Sequence, residues 1–292
     1  MSRRQAVGPL LEQLYRELDA PTRRASDPVA FVHRYRDPAD QEVAGVFAAS
    51  LAFGRVAAFQ PVLQALFDAA DAHGGPARAA ERVPDALATA WQPLFYRWLR
   101  GPHLVALLRA VGQVRARHGG LEGLSAVGTL RDGLTAWVGE LREAVEADQG
   151  PRAGWDRGLR FLLPSPAEGS ACKRWCMFTR WMVRPPTEGI DLGLWTRDPA
   201  TLLVPVDTHV LKLSRFLGLT ERKDGSWRTA EDITAALRRF DPQDPVRFDF
   251  ALAHLGISGA CRGHRVQEVC AACVLDAACR APRWATGRRA AR

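Results

Sequence analysis

Apolar residues recur at three- and four-residue intervals along almost the whole chain, and that period restricts the fold to packed helices before any motif is weighed. Leu10, Leu11, Leu14 and Leu18 set the pattern within Val7–Asp19, and Pro21 and Ser26-Asp27-Pro28 interrupt it. Asp37-Pro38 reads as a helix start: the aspartate can cap, and the proline takes the first helical position, where an amide hydrogen would go unused. It predicts an amphipathic helix over Ala39–Phe53, stopped by Gly54. Further helices are predicted over Val56–Ala72, Val83–Leu99, His103–Arg117, Gly128–Glu146, Ala171–Val183, Thr208–Leu217 and Val246–Leu255. Another, Thr229–Phe240, takes Thr229 as its cap with Asp232 three residues on. Period-two alternation never lasts long enough to build a sheet, so the fold class is all-α.

A chain of 292 residues buries a sizeable core, and two helical lobes sharing a cleft are expected within residues 1–260. A four-cysteine loop at 261–280 and a short basic, disordered tail at 281–292 complete the expected organisation. The 47% hydrophobic and 25% charged fractions are those of an ordinary globular protein. No apolar run approaches the roughly 20 residues that cross a bilayer, and Arg3 and Arg4 are not followed by a signal-peptide core. A cytoplasmic monomer without membrane association is expected, in a compartment where free thiols serve as ligands rather than as disulfides. The net charge of +8 suits a polyanionic partner.

Cys261, Cys270, Cys273 and Cys279 are spaced C-x8-C-x2-C-x5-C, a compact tetrathiolate. Four thiolates hold either zinc or a [4Fe–4S] cluster, and the spacing does not choose between them. Upstream, Val204-Pro-Val-Asp207-Thr-His209 puts a carboxylate directly before the Thr208–Leu217 helix. Asp207 there can cap the helix, act chemically as a carboxylate by stabilising a developing positive charge or activating a nucleophile, or do both.

These two segments carry a resemblance. The last two gaps of the cysteine loop are those of the iron–sulfur loop in endonuclease III and its adenine glycosylase relatives, and Ala251-Leu-Ala-His254-Leu-Gly256 is similar to the last core helix leading into that loop. The Val-Asp207-Thr-His209 stretch resembles the segment of endonuclease III that contains the catalytic aspartate. From about Pro28 to Cys279 the chain resembles a bacterial family related to the archaeal 8-oxoguanine glycosylases, within the helix-hairpin-helix DNA glycosylase superfamily.

The resemblance implies a two-lobed helix-hairpin-helix fold and a structural [4Fe–4S] cluster on the four cysteines, with zinc as the alternative. It implies double-stranded DNA carrying a damaged base as partner, and association with the nucleoid. Arg262, His264, Arg265 and Arg280 would meet phosphates. Lys173, one of only three lysines, would attack the sugar C1′ as bifunctional members of the superfamily do, with Asp207 assisting and His209 beside it. Phe53 or Arg55 would fill the gap left by an extruded base. Trp181, Trp195 and Phe95-Tyr96 are candidate stacking faces, and Asp249 is a candidate acceptor for a purine N–H, with a buried salt bridge as its other role.

Two departures stand out. Pro164-Ser-Pro-Ala-Glu-Gly169-Ser replaces the Leu-Pro-Gly-x-Gly hairpin of endonuclease III, and Arg184–Trp195 is inserted between Lys173 and Asp207; Arg184 and Asp191 within it can form an ion pair. The expected activity is base excision of an oxidised base such as 8-oxoguanine, with β-lyase chemistry. A non-catalytic DNA-binding or damage-sensing protein on the same fold, and a zinc-bearing interaction module, are the alternatives.

Overall fold

The computed structural model describes residues 7–125 and 128–282. Most of the predicted basic tail, residues 283–292, lies outside the described residues. The fold is mostly helical, as the periodicity requires. Among the described residues the only strands are Phe95–Tyr96 and Leu99–Arg100, paired antiparallel with Tyr96 opposite Leu99. They replace the second half of the predicted Val83–Leu99 helix, of which only Asp85–Trp91 forms. Pro93 supplies the reason: it has no amide hydrogen to donate to the preceding turn, so the helix ends with Gln92 as its C-cap. The Phe-Tyr-Arg-Trp run that follows prefers extended backbone.

The chain divides into two units. One joins the described parts of Met1–Asp19 and Leu203–Arg292, and the other is Ala20–Leu202. The helix Pro38–Leu51 is the centre of the Ala20–Leu202 unit. Asp37 caps it, accepting from the Ala39 amide at 2.8 Å. The expected amphipathic pattern gives way here to a helix with every residue from Glu42 to Leu51 buried, because neighbours cover all its faces. One neighbour is Lys173–Val183, which approaches so closely at Gly45 that a Cβ there would sit 2.8 Å from the Phe178 ring. Gly101–His118 and Leu130–Gln149 pack on each other in the same unit. The second of these starts in a capping box between Thr129 and Asp132.

In the other unit, Thr208–Leu217 forms over the predicted span and packs on Asp249–Ile257. The latter starts three residues later than predicted. Trp227–Leu237 starts earlier than its pattern suggested, because Ser226 rather than Thr229 is the cap. Thr229 is fully buried inside the first turn and donates instead to Asp224 at 2.8 Å. Val7–Arg16 joins this unit through Tyr15, whose ring stands edge-on to Phe248 at 6.1 Å, and through the ion pair of Glu12 with Arg247. Among the described residues no helix is long and apolar enough to cross a membrane.

Gly112 tests the packing. A Cβ at this position would lie 1.8 Å from the Ala80 carbonyl oxygen, an obstacle made of backbone that cannot rotate away. Gly112→Ala is expected to destabilise the protein by about 2–3 kcal/mol, read as a lower urea midpoint. An unchanged midpoint would contradict the close approach of these two segments.

Candidate functional site

Lys173 is the first residue of its helix, and the residue before it is unusual. Cys172, the N-cap, has φ 45° and ψ 38°, a left-handed conformation that a side chain makes costly. Its amide donates to Ser170 Oγ at 3.2 Å, and burial pushes its thiol up to about 11. Lys173 is half-buried, and its Nζ donates to the Ala52 carbonyl at 3.2 Å. Ala52 is the C-cap of the buried Pro38–Leu51 helix, so the ammonium stands where the helix dipole favours a cation. The next residue, Arg174, is buried and donates to the Ser50 carbonyl at 3.1 Å and to the Phe161 carbonyl. Its guanidinium lies 3.8 Å from the centre of the Phe161 ring, and burial pulls its pKa below the usual arginine value.

Around this pair lies an aromatic cluster that the sequence pattern did not reveal. Phe53 is its middle: its ring lies 4.7 Å from Tyr96, 5.4 Å from Trp98 in a stacked arrangement, and 4.6 Å from Phe161. The Tyr96 hydroxyl donates to the Phe53 carbonyl. Arg157 covers Trp98 at 4.0 Å, and Arg97 stands about as near to Phe53 as to Trp98, at 6.0 and 5.9 Å. Gly54 is required beside them, because its φ is +80° and a Cβ would meet the Tyr96 hydroxyl at 2.6 Å. Arg55, the next residue, is exposed. The Pro93 break followed by a run of β-forming aromatics was the available signal for this hairpin.

Trp181 and Trp195 belong to the core rather than to a surface that a base can reach. Trp181 is 1% exposed. Trp195 donates its indole N–H to the buried Glu42 carboxylate at 2.8 Å and packs edge-on to Phe178 at 5.2 Å. Arg184 of the insert and Arg180 of the Lys173–Val183 helix both pair with the buried Asp191 carboxylate, which braces the insert against that helix.

The remaining sequence candidates fall in the other unit. Asp207 caps the Thr208–Leu217 helix, its Oδ1 accepting from the His209 and Val210 amides at 2.8 Å each. Both bonds use the same oxygen. His209 is seated flat on Gly256, where a Cβ would lie 2.5 Å from the His209 Cβ. Asp249 is buried in the first turn of its helix, where the dipole favours a carboxylate.

The four cysteines line one cavity, together with apolar residues that include Leu213, Leu217 and Leu255. Each is half-buried. The Val266 amide donates to Cys270 Sγ and the Ala281 amide to Cys279 Sγ, both at 3.4 Å. Burial, and then the nearness of the other cysteines, raises the thiols of Cys273 and Cys279. Among the described residues no group of three or more His, Cys, Asp or Glu is drawn together as one metal ion needs. Four thiolates lining one cavity, two of them accepting from backbone amides, are a donor set that fits either zinc or an iron–sulfur cluster. Arg265 closes the loop on itself through Asp276 at 2.5 Å, so it is a strut of the cysteine segment, while Arg262 and Arg280 are exposed.

A family model described as a protein of unknown function (DUF2400) matches residues 27–258, a span that includes both Lys173 and Asp207 and ends before the first of the four cysteines. No curated protein and no solved structure matches the chain.

The two capping bonds make a separable contribution to stability. Asp207→Ala is expected to cost about 1 kcal/mol, measured by chemical denaturation, whereas Asp207→Asn retains a capping oxygen and should leave the midpoint within error of the wild type. An equal loss in both variants would show that the carboxylate charge, not the cap, stabilises this helix.

Proposed function

The chain belongs to the DUF2400 family of proteins of unknown function, and we propose that it is a base-excision DNA glycosylase with β-lyase activity, built on a two-lobed helix-hairpin-helix fold. Its partner in this reading is duplex DNA with an oxidised base, an 8-oxoguanine-like purine being favoured, and it acts as a cytoplasmic, nucleoid-associated monomer.

The observation that carries the reading is the setting of Lys173. A half-buried amine opens a helix whose cap is conformationally strained, rests on one helix-terminal carbonyl, and lies in the same unit as an aromatic and arginine-rich surface. To react, the ammonium leaves the Ala52 carbonyl and gives a proton to solvent, and the neutral amine attacks the sugar C1′. A C1′–N bond forms and the glycosidic bond breaks, its electron pair leaving with the base, which takes up a proton. The sugar ring then opens, O4′ leaving C1′ with the bonding pair and taking up a proton, and the resulting iminium acidifies C2′, whose proton is lost to solvent as the 3′ phosphate departs by β-elimination. Asp207 stabilises the positive charge that builds on the sugar, and the oxygen not used in capping is available for that role.

The four cysteines hold a [4Fe–4S] cluster in this reading. Its part is structural, fixing the loop from which Arg262 and Arg280 reach phosphates. The substituted Pro164–Ser170 turn favours one other reading, a damage-sensing protein that binds DNA without cleaving it. This segment carries a single left-handed glycine, Gly169 at φ 79°, and is fastened by Arg142 to Glu168 and to the Leu163 carbonyl.

Borohydride reduction on lesion-containing DNA separates the two. The wild type is expected to yield a covalent adduct and Lys173→Gln none, and Asp207→Asn should slow base release by about 10²–10⁴-fold. No adduct with any lesion, together with DNA affinity indifferent to Lys173→Gln, favours the damage sensor. The cofactor has its own test: protein purified without oxygen is expected to be brown, and Cys273→Ser to lose both the colour and thermal stability. A colourless protein with stoichiometric zinc would replace the cluster by the ion.

A further inference from the structure

The hairpin Phe95–Arg100 has features that folding alone does not explain. Phe95 is 60% exposed, an aromatic ring left in water on the face of the hairpin opposite the buried Tyr96 and across the strand pair from Arg100. Arg97 holds φ 56° in the two-residue turn, a position that glycine or asparagine fills without cost. Strain of this kind persists when the side chain it carries is needed. The Arg97 guanidinium reaches back toward the faces of Phe53 and Trp98, and Arg157 covers Trp98 from its own helix. Arg97 and Arg100 of the hairpin are exposed, as are Arg55 and Arg157 beside the cluster, so the open Phe95 ring stands on a segment rich in free guanidinium groups.

That combination matches one ligand chemistry. Unpaired nucleic-acid bases stack on aromatic rings and on guanidinium planes, while their phosphates pair with cations. Bases in an intact duplex hide their faces from such a surface, and an apolar protein partner would have to bury the four arginines. We propose that the Phe95–Arg100 hairpin, through the open ring of Phe95 and the guanidinium of Arg97, is a stacking platform for unpaired DNA bases, so that the chain prefers DNA that is already unstacked over a fully matched duplex. The proposal rests on the reading of the chain as a DNA-acting protein and deepens it: the platform names the state of the substrate that is captured. The hairpin and Lys173 bond to adjacent carbonyls, the Tyr96 hydroxyl to that of Phe53 and the Lys173 Nζ to that of Ala52, which puts a held strand near the reacting group.

Binding to lesion-free DNA tests this without any need for base release. Fluorescence anisotropy would compare a matched duplex, the same duplex with a bulge, and its single strand. The wild type is expected to bind the bulged and single-stranded forms about ten-fold more tightly, with quenching of tryptophan emission. Phe95→Ser, Arg97→Gly and Trp98→Ala should each remove most of that preference, and Trp98→Phe should keep it. Arg97→Gly relieves the turn, so its Tm should equal or exceed the wild-type value while its salt dependence loses about one phosphate contact. Equal affinity of the wild type for matched and unpaired DNA overturns the platform, as does a preference that survives both Phe95→Ser and Arg97→Gly. So does tighter binding of an RNA strand than of the DNA strand, or a self-association in sedimentation that Phe95→Ser dissolves without altering DNA binding. If no lesion is excised while the hairpin variants still lose the preference, the glycosylase reading falls and the platform stands.

Discussion

A helix that ends inside a protein leaves carbonyls without amides to receive, and the Pro38–Leu51 helix ends in that way. Its last turn and the residues after it are completed by side chains from distant parts of the chain: Arg174 donates to Ser50, Lys173 to Ala52 and the Tyr96 hydroxyl to Phe53. Each bond removes the penalty of a buried acceptor, which is about 1–3 kcal/mol when left unmet. Together they decide where the Lys173 helix starts, where the hairpin lies and which way the Phe53 ring faces. The chemistry proposed for this unit therefore grows out of a structural debt at one helix terminus. Cationic side chains settle it well, because the dipole there attracts positive charge.

This arrangement also explains how a surface so rich in arginine coheres. Arg174 is buried against carbonyls and the Phe161 ring, and Arg157 lies on Trp98. Guanidinium is weakly hydrated and planar, so it stacks on rings and donates sideways at the same time, which an ammonium cannot do. Lysine at these positions would forfeit the ring contact while keeping the charge. A chain that uses arginine almost to the exclusion of lysine thus has a residue suited to such stacks. Lys173 is then distinguished by chemistry as well as position, since an amine can become a nucleophile where a guanidinium, always protonated, cannot.

Local signals in the sequence were legible where a single turn of backbone settles the matter. Asp37-Pro38 and Asp207-Thr-His209 start helices through bonds reaching two or three residues ahead, and both helices begin as expected. The Thr229 cap failed because Ser226, three residues earlier, competes for the same role and leaves Thr229 a buried place bonded to Asp224. The Val83–Leu99 helix failed because apolar spacing was allowed to outweigh Pro93. Contacts between segments far apart in the chain lay beyond reach: no periodicity announces that Lys173 meets Ala52, or that Trp195 meets Glu42. The tryptophans look alike as candidates in a sequence, yet Trp181 and Trp195 serve packing while Trp98 lies in the aromatic cluster.

The cysteine segment and the Asp207 helix were read from short motifs, and their geometry shows why such motifs persist as units. The Asp207 carboxylate accepts from two consecutive amides through one oxygen, which fixes the plane of the group and directs the other oxygen without the help of a second residue. His209 is pressed onto Gly256, so the helix that carries the aspartate is registered against the helix that runs toward the cysteines. The loop then returns to the same helix through the Arg280 amide and the Phe216 carbonyl at 2.8 Å. A cofactor held by these four sulfurs would stiffen the helix bearing Asp207, and a rigid carboxylate is worth more to a developing cation than a mobile one, because no reorganisation is spent when the charge appears.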